Sequence, residues 1–490
     1  MKKTYEKFSK YGSIAILSLF CVVLYIILLG KSQDNDMFFE IMSGRDILNG
    51  NFHTISHADD FPIIVQQWLY AVCMAIFDKF GYIGNLTFVF IQDVILYIVS
   101  YIFIYRRTHD KKKSCIGPAL AILYCYNYMI NIRPQIITVI FLVSELIFLD
   151  MYKEKKQLKY LIPIFPILVL SANFHQSVFL YHIFIMVPYL LGDSLMKQLE
   201  ETNGDLRKIT KCELIDWKLV CFSVLFLLCS LLTPYGLDGA LYIFKTFKSN
   251  TYDFISISEL QPMNIFSYDG VCMLILVALA ILLIYLRKSN RYVNFYVFAV
   301  FLLALLHIRH TSIEFIPVLF VICAANFKKL HDTYFYSAIA FLCIVLCVVH
   351  VKGVSNVKHD YGKVAESIQD KDAYIYNTAM DLGGYLEYNG CTKVHLDSRC
   401  EAYSEEISGI PNIMEEYFAL TRGYWYSNNN NVITYDIAED DELLYCIKDY
   451  KYLVSNRMDY INRVVKDDTD TWTKLFDDGK YIVWENVTIE

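Results

Sequence analysis

Apolar residues in this chain fall in long runs, among them Ser13 to Gly30 and Val271 to Tyr285, each near the roughly 18–20 residues that a helix needs to cross the hydrocarbon of a bilayer. Read end to end, the pattern predicts spans near 12–30, 86–105, 114–131, 136–152, 159–174, 177–192, 217–233, 270–286, 292–307, 311–326 and 333–351. One segment, Trp68 to Phe80, holds only about ten apolar residues before Asp78 and Lys79 and is too short to cross. If it did cross, Arg106, Arg107 and Lys111 to Lys113 would lie outside and every later basic loop would be inverted. Treated as an interfacial helix, it leaves eleven crossings, a cytoplasmic N-terminus and an extracytoplasmic tail. The basic clusters Lys153/Lys155/Lys156/Lys159, Arg207/Lys208/Lys211, Arg287/Lys288/Arg291 and Lys328/Lys329 then share the cytoplasmic side. Gly30-Lys31-Ser32-Gln33 is a poor cleavage site, so the first run reads as an uncleaved span.

From about residue 352 the pattern changes. A polar helix near Tyr361–Gln369 and strands at Ala373–Tyr376, Lys393–Leu396, Tyr452–Val454 and Tyr481–Trp484 predict a soluble α/β domain, with Asn428 to Asn431 as an exposed loop. The expected architecture is a membrane all-α bundle of about 11 transmembrane helices over 1–351, with long outer loops at 31–85 and 234–269, followed by an extracytoplasmic α/β domain over 352–490.

Composition sharpens this. In 490 residues, 56% hydrophobic and 19% charged with mean hydropathy +0.35 excludes a water-soluble chain. The net charge of −7 divides unevenly: from Lys352 onward 14 Lys+Arg face 26 Asp+Glu (−12), and before it 30 face 25 (+5). The basic part flanks spans, and the acidic tail has no nucleic-acid footprint. Eleven of the 14 cysteines lie in the membrane half, where Cys acts as a small buried hydrophobe. Cys391, Cys400 and Cys446 show no CxxC spacing, which argues against a disulfide framework or a zinc site. The chain has no GxxxxGK[ST] loop, no Gly-rich nucleotide fingerprint and no GxSxG, so it carries no ATP-driven transport of its own.

Three sets of residues are candidates for chemistry. The first outer loop crowds Asp34, Asp36, Glu40, Asp46, His53, His57, Asp59 and Asp60 into about 27 residues. Plain solvation explains any one of them; the sharper reading makes one carboxylate a general base at the bilayer surface while others position a cation or a substrate hydroxyl. Within spans, Asp93 is open to function or structural pairing, and for the mid-span Glu145 and His182 an interhelical hydrogen bond is the preferred reading of each. Outer turns add Arg133-Pro134-Gln135, Asn173-Phe174-His175, Pro234-Tyr235-Gly236 and Arg309-His310. These are ordinary anchors and helix ends, or else Arg and His that bind a lipid phosphate, since guanidinium matches phosphate oxygens in bidentate fashion.

Asp36, Gly44-Arg45-Asp46-Ile47, His57-Ala58-Asp59-Asp60-Phe61, Gln67-Trp68-Leu69 and Glu259-Leu260-Gln261-Pro262, with Gly383-Gly384-Tyr385-Leu386 and Asp397-Ser398-Arg399 in the tail, resemble bacterial multi-span proteins of the GT-C glycosyltransferase superfamily. The likeness covers nearly the whole chain. The nearest pattern is an uncharacterised group reading D-x-W-x-H, G-R-x-I, D-P-F-S and E-W-L in the first loop, with W-G-G-Y-L and D-G-R in the tail. Departures are Glu40 where His is usual, Gln67 for Glu, Asp60 for Pro and Leu260 for Trp.

The resemblance implies an inverting transfer of sugar from a polyprenyl-phosphate donor to a glycan or lipid acceptor on the outer face of the cytoplasmic membrane, in cell-envelope glycan assembly. Asp36 becomes the base, with Asp59 or Asp60 as second carboxylate; in a metal-dependent member Asp36, Asp59 and Asp60 would hold Mg or Mn. Glu40, His57, Asp93, Arg133, His175, Glu259, Arg309 and His310 are the substrate-binding candidates. Gly383-Gly384 and Asp397-x-Arg399 are read as structural turns in preference to saccharide contacts. The departures keep open a non-catalytic scaffold or lipid-glycan binding protein. A transporter or flippase fits less well, because the polar residues sit at the outer rim and not at midplane.

Overall fold

The structure is a computed structural model that describes residues 18–28, 35–53, 63–125, 132–192, 198, 215–248, 262–306, 313–325, 362–403, 405–429 and 432–489. Among these the chain forms two compact units: one within Met1–Lys31, Tyr82–Ala240 and Ser258–Val357, the other within Ser32–Gly81, Leu241–Ile257 and Lys358–Glu490. The segment that follows the first apolar helix therefore packs with the tail.

The first unit is a helix bundle. Among the described residues each of the first ten predicted spans overlaps helix: Ser18–Leu28, Gly81–Thr108, Lys111–Tyr124, Gln135–Lys155, Leu158–Phe174, Gln176–Leu190, Trp217–Leu231, Tyr268–Tyr285, Arg291–Leu305 and Phe315–Ala324. Span 333–351 lies outside the described residues. Gly81–Thr108 and Gln135–Lys155 are long and apolar enough to cross a membrane singly, and Trp217–Leu231 with Gly236–Tyr242 forms a bent pair that makes up to three.

Helices in lipid gain little from apolar burial alone, so packing and interhelical polar contacts must hold them together. At one end of the bundle Arg107 donates Nε to Asp150 Oδ2 at 2.6 Å and Nη2 to the Tyr189 hydroxyl at 2.8 Å. Its guanidinium also lies against the rings of Phe320, Tyr292 and Phe103 at 4.3, 4.7 and 5.0 Å. Beside it Arg106 pairs with Glu154 at 3.0 Å, and Lys153 with Asp216 at 3.1 Å. The predicted basic clusters 106–107 and 153–155 thus gather at one end. Midway along, His182 Nδ1 meets Glu145 Oε2 at 2.5 Å and its Nε2 meets Ser171 Oγ at 2.7 Å, a buried relay across three helices. The interhelical hydrogen bonding expected of Glu145 and of His182 is present, and the two meet each other.

The second unit contains a five-stranded sheet. Strands β1 (Tyr374–Asn377), β2 (Lys393–Val394), β5 (Tyr452–Asn456), β6 (Trp472–Asp477) and β7 (Tyr481–Asn486) run in the order β2-β1-β5-β7-β6, while β3 (Tyr424–Asn429) and β4 (Val432–Ile437) form a separate hairpin. β1 is parallel to β2 and β5; β7 is antiparallel to β5 and β6. The four predicted strands occur within two residues of their expected ends, because aromatic and β-branched runs such as Tyr481-Ile482-Val483-Trp484 suit a sheet buried on both faces. β6 is mostly exposed, an edge bearing Lys474 and Asp477, which pair at 3.1 Å. Two expectations change. Asn428 and Asn429 belong to β3, the other two asparagines of the run lying outside the described residues, and Gly383-Gly384 lies within the helix Met380–Tyr388 instead of forming a turn.

Asp459 gives this unit a pH dependence. Burial pushes its carboxyl up to about 6, and Asp381 adds to the rise, although Thr378 Oγ1 and the Asn456 amide donate to it at 2.6 and 2.9 Å. A carboxyl raised in the folded state favours folding when protonated, so its contribution is complete below about pH 4 and is lost as pH climbs through about 6. Asp459→Asn keeps an acceptor for both donors and removes the titration. The variant is expected to melt higher than the parent protein at pH 7.5, by about 2–3 kcal/mol in stability, and alike at pH 4. Parallel melting curves at the two values would refute this.

Candidate functional site

The first-loop helix Asn35–Leu48 begins with Asp36 in its first turn, where the helix dipole favours an acid. Asp36 is half-buried, and Glu40, one turn later on the same side, is buried. Glu40 Oε1 accepts from Gln67 Nε2 at 2.5 Å. The two departures from the resembled pattern, Glu40 and Gln67, are thus partners: a neutral amide donor faces the carboxylate.

The helix Trp68–Asp78 lies alongside in the same direction, with Glu40 beside Gln67 near one end and Arg45 beside Asp78 near the other. Its 11 residues reach about 16 Å, half the hydrocarbon thickness. Close approach depends on Gly44, where an added Cβ would run into the Ala71 carbonyl and come within 2.9 Å of the Ala75 Cβ. Gly44→Val is expected to lower stability by about 2–3 kcal/mol, read as an earlier melt of the detergent-solubilised protein, with Gly44→Ala intermediate. Unaltered melting would mean the helices can part freely.

Arg45 Nη2 donates to Asp78 Oδ2 at 2.8 Å, and the Tyr388 hydroxyl donates to Asp78 Oδ1 at 3.2 Å while its ring lies 4.9 Å from the Arg45 guanidinium. The tail motif completes the clamp. An added Cβ on Gly384 would stand 2.8 Å from the Phe39 amide nitrogen, and one on Gly383 would stand 2.6 Å from Asp397 Cα, so both glycines serve close approach. Tyr385 meets the Phe38 ring edge-on at 4.9 Å.

Arg399 is the junction. Its Nε donates to Asp397 Oδ2 at 2.6 Å and Nη1 to Ser43 Oγ at 3.0 Å, while Nη2 lies 3.7 Å from Glu387 Oε2. Asp397 Oδ1 also accepts from the Arg399 amide at 2.8 Å and the Tyr403 hydroxyl at 2.9 Å. Burial works against the charge on Arg399, but the carboxylates of Asp397 and Glu387 outweigh it and hold the guanidinium above its ordinary value. Both tail motifs pack on the helix that carries Asp36.

In the bundle, three of the four predicted turns converge. Thr138 Oγ1, one turn into the helix that follows Arg133-Pro134, meets His175 Nδ1 at 2.7 Å. Asn173 Nδ2 donates to the Leu232 carbonyl at 2.9 Å and Gln176 Nε2 to that of Ser230 at 3.0 Å, which ties this turn to the one at Pro234-Tyr235-Gly236. Arg133 is half-buried and His175 buried. Asp93 is wholly buried, and among the described residues neither of its oxygens has a hydrogen-bond partner. The structural pairing open to it in the sequence is absent there. His57, Asp59, Asp60, Glu259, Arg309 and His310 lie outside the described residues. Among the described residues no group of three His, Cys, Asp or Glu could hold a metal ion.

Sequence reasoning missed Ser43, Thr138, Gln176 and Tyr388. Gly44-Arg45 was the visible signal for the clamp, but its partners Asp78 and Tyr388 lie far along the chain.

No protein family's sequence profile matches the chain, and no curated protein does. Solved structures match it over nearly its whole length. ArnT from Cupriavidus metallidurans in the apo state superposes with a TM-score of 0.60 at 11% identity, covering 98% of this chain and 98% of that one. The same protein bound to undecaprenyl phosphate gives 0.59 at 10% identity, with 97% and 98% covered. The oligosaccharyltransferase of Archaeoglobus fulgidus tethered with an acceptor peptide gives 0.57 at 13%, covering 92% of this chain and 69% of its own. The chain has the fold these proteins share, a helical membrane bundle with a C-terminal domain.

Proposed function

We propose that the chain is a glycosyltransferase that takes a sugar from a polyprenyl-phosphate carrier at the outer face of the cytoplasmic membrane and passes it, with inversion, to a hydroxyl of a cell-envelope glycan or lipid. The acceptor oxygen attacks the anomeric carbon, its proton passes to the Asp36 carboxylate, and the bond from that carbon to the phosphate oxygen breaks to release the polyprenyl phosphate. Phosphate is a competent leaving group, so such a site needs chiefly a base and positive charge for the departing oxygen. Arg133, with His175, Arg309 and His310, would supply that charge; Asp59 or Asp60 would orient the acceptor beside His57 and Glu259.

The observation that carries this reading is the end-to-end likeness of fold to a protein solved with undecaprenyl phosphate bound. Asp36 supports it as an acid that opens a firmly held helix after the first apolar helix. Glu40, closed against Gln67, would keep the shape of the site more than touch substrate. That closed pair is also what a non-catalytic lipid-glycan binding relative would show.

The deciding experiment is the lipid extract of a deletion strain. Accumulation of one polyprenyl-phosphate sugar, cleared by the parent gene and not by Asp36→Asn, supports transfer; an unchanged extract refutes it. Mg or Mn would be held by carboxylate oxygens of Asp36, Asp59 and Asp60 and would add charge against the phosphate. Loss of transfer in EDTA, restored by either ion, tests that.

A further inference from the structure

Between the helix Trp217–Leu231 and the helix that begins at Gly236 the chain turns through 107°. Pro234 supplies no amide hydrogen, and Gly236 takes φ +51°, a left-handed conformation that glycine adopts without strain. The helix after the break, Gly236–Lys248, has 13 residues and a length of about 20 Å, and it runs across the direction of its predecessor.

Its faces differ sharply. Leu237, Leu241 and Phe244, spaced i, i+4, i+7, are 63%, 42% and 51% exposed, and Lys245 at the edge of that face is exposed too. Tyr242, off that face, is buried, and Gly239 packs so closely on Gln176 that an added Cβ would stand 2.6 Å from its Oε1. The helix before the break leaves Val224, Leu228 and Leu232 exposed, so bare apolar surface continues on both sides of the bend. In a membrane bundle that surface faces lipid. The bend then carries the continuing face from the depth of a span into the plane of the interface.

We infer that Gly236–Lys248 is an interfacial membrane-contact helix: Leu237, Leu241 and Phe244 enter the boundary between headgroups and acyl chains, and Lys245 stands at the level of the lipid phosphates. The partner is the bilayer surface itself, and the inference holds whether or not the chain transfers sugar.

The test places Leu241→Trp in the full-length protein, reconstituted in phosphatidylcholine vesicles containing anionic lipid, with the parent protein's fluorescence subtracted. Lipids brominated near the headgroup are expected to quench the added signal roughly two-fold more than lipids brominated at the chain end. Phe244→Trp repeats the measurement, so that a failure of one variant to insert leaves the other to decide. Quenching by aqueous acrylamide with no effect of brominated lipid would place the face in water and overturn the inference. Stronger quenching from the chain end would place it at spanning depth and overturn it as well.

Discussion

Asp36→Asn is expected to lower sugar transfer by about 10²–10⁴-fold while leaving insertion and melting close to those of the parent protein. The substitution keeps the shape of the side chain and removes its capacity to take a proton. Asp36 is half-buried at the start of its helix, and Glu40 to Gln67, Ser43 to Arg399 and Arg45 to Asp78 hold that helix further along. Loss of the first-turn acid should itself cost only about 0.3–1 kcal/mol through the helix dipole. A variant that keeps full transfer would remove Asp36 as the base; one that loses transfer only by failing to fold would show the carboxylate to be structural. Glu40→Gln is the companion. It leaves an amide facing the Gln67 amide, and it should reduce stability more than the chemical step.

The second large effect is on architecture. Arg399→Leu is expected to destabilise the protein by about 3–5 kcal/mol, because it strands the carboxylates of Asp397 and Glu387 in a buried setting without their counter-ion. It also removes the donor to Ser43 Oγ, and with it a direct tie between the tail and the Asp36 helix. Arg399→Lys keeps the charge and loses the fork that reaches Asp397 and Ser43 at once, so it should fall between the two. The check is the melting midpoint in detergent together with proteolysis of residues 35–78, which should become accessible in Arg399→Leu at temperatures where the parent protein resists. A double change, Arg399→Leu with Asp397→Leu, removes much of the stranded charge and should recover part of the loss. Equal melting of parent and Arg399→Leu would mean that the junction carries no load.

The two residues differ in how readable they were. Asp36 stands out in the sequence because an acid a few positions beyond an apolar run is conspicuous, but the helix Asn35–Leu48 that carries it was not among the expected elements, which placed only a loop there. Arg399 is conspicuous only as part of a resembled motif. Nothing in the local pattern says that its guanidinium meets Ser43, more than 350 positions earlier. Gly383 and Gly384 mislead in the same way: two adjacent glycines suggest a turn, yet they lie within a helix because Phe39 and Asp397 approach too closely for any side chain. Glu40 and Gln67 looked like two independent departures and are one contact. The reverse occurs at Asp93, whose burial was foreseeable from its span but whose lack of a hydrogen-bond partner among the described residues was not.

The sequence by itself determined the membrane character, the positions of the apolar helices, the basic end of the bundle and the main strands of the tail. Each of these answers to a one-dimensional rule: the thickness of hydrocarbon sets a run length, and a sheet buried on both faces selects aromatic and β-branched residues in short runs. Only the tertiary structure decided that the first-loop helix belongs with the tail, that Asn173 and Gln176 tie the His175 turn to the one at Pro234, and that the chain bends sharply ahead of Gly236. Those outcomes depend on which surfaces fit, on small residues at points of closest approach and on buried charges finding partners hundreds of positions away, and no local pattern of polarity encodes such distances.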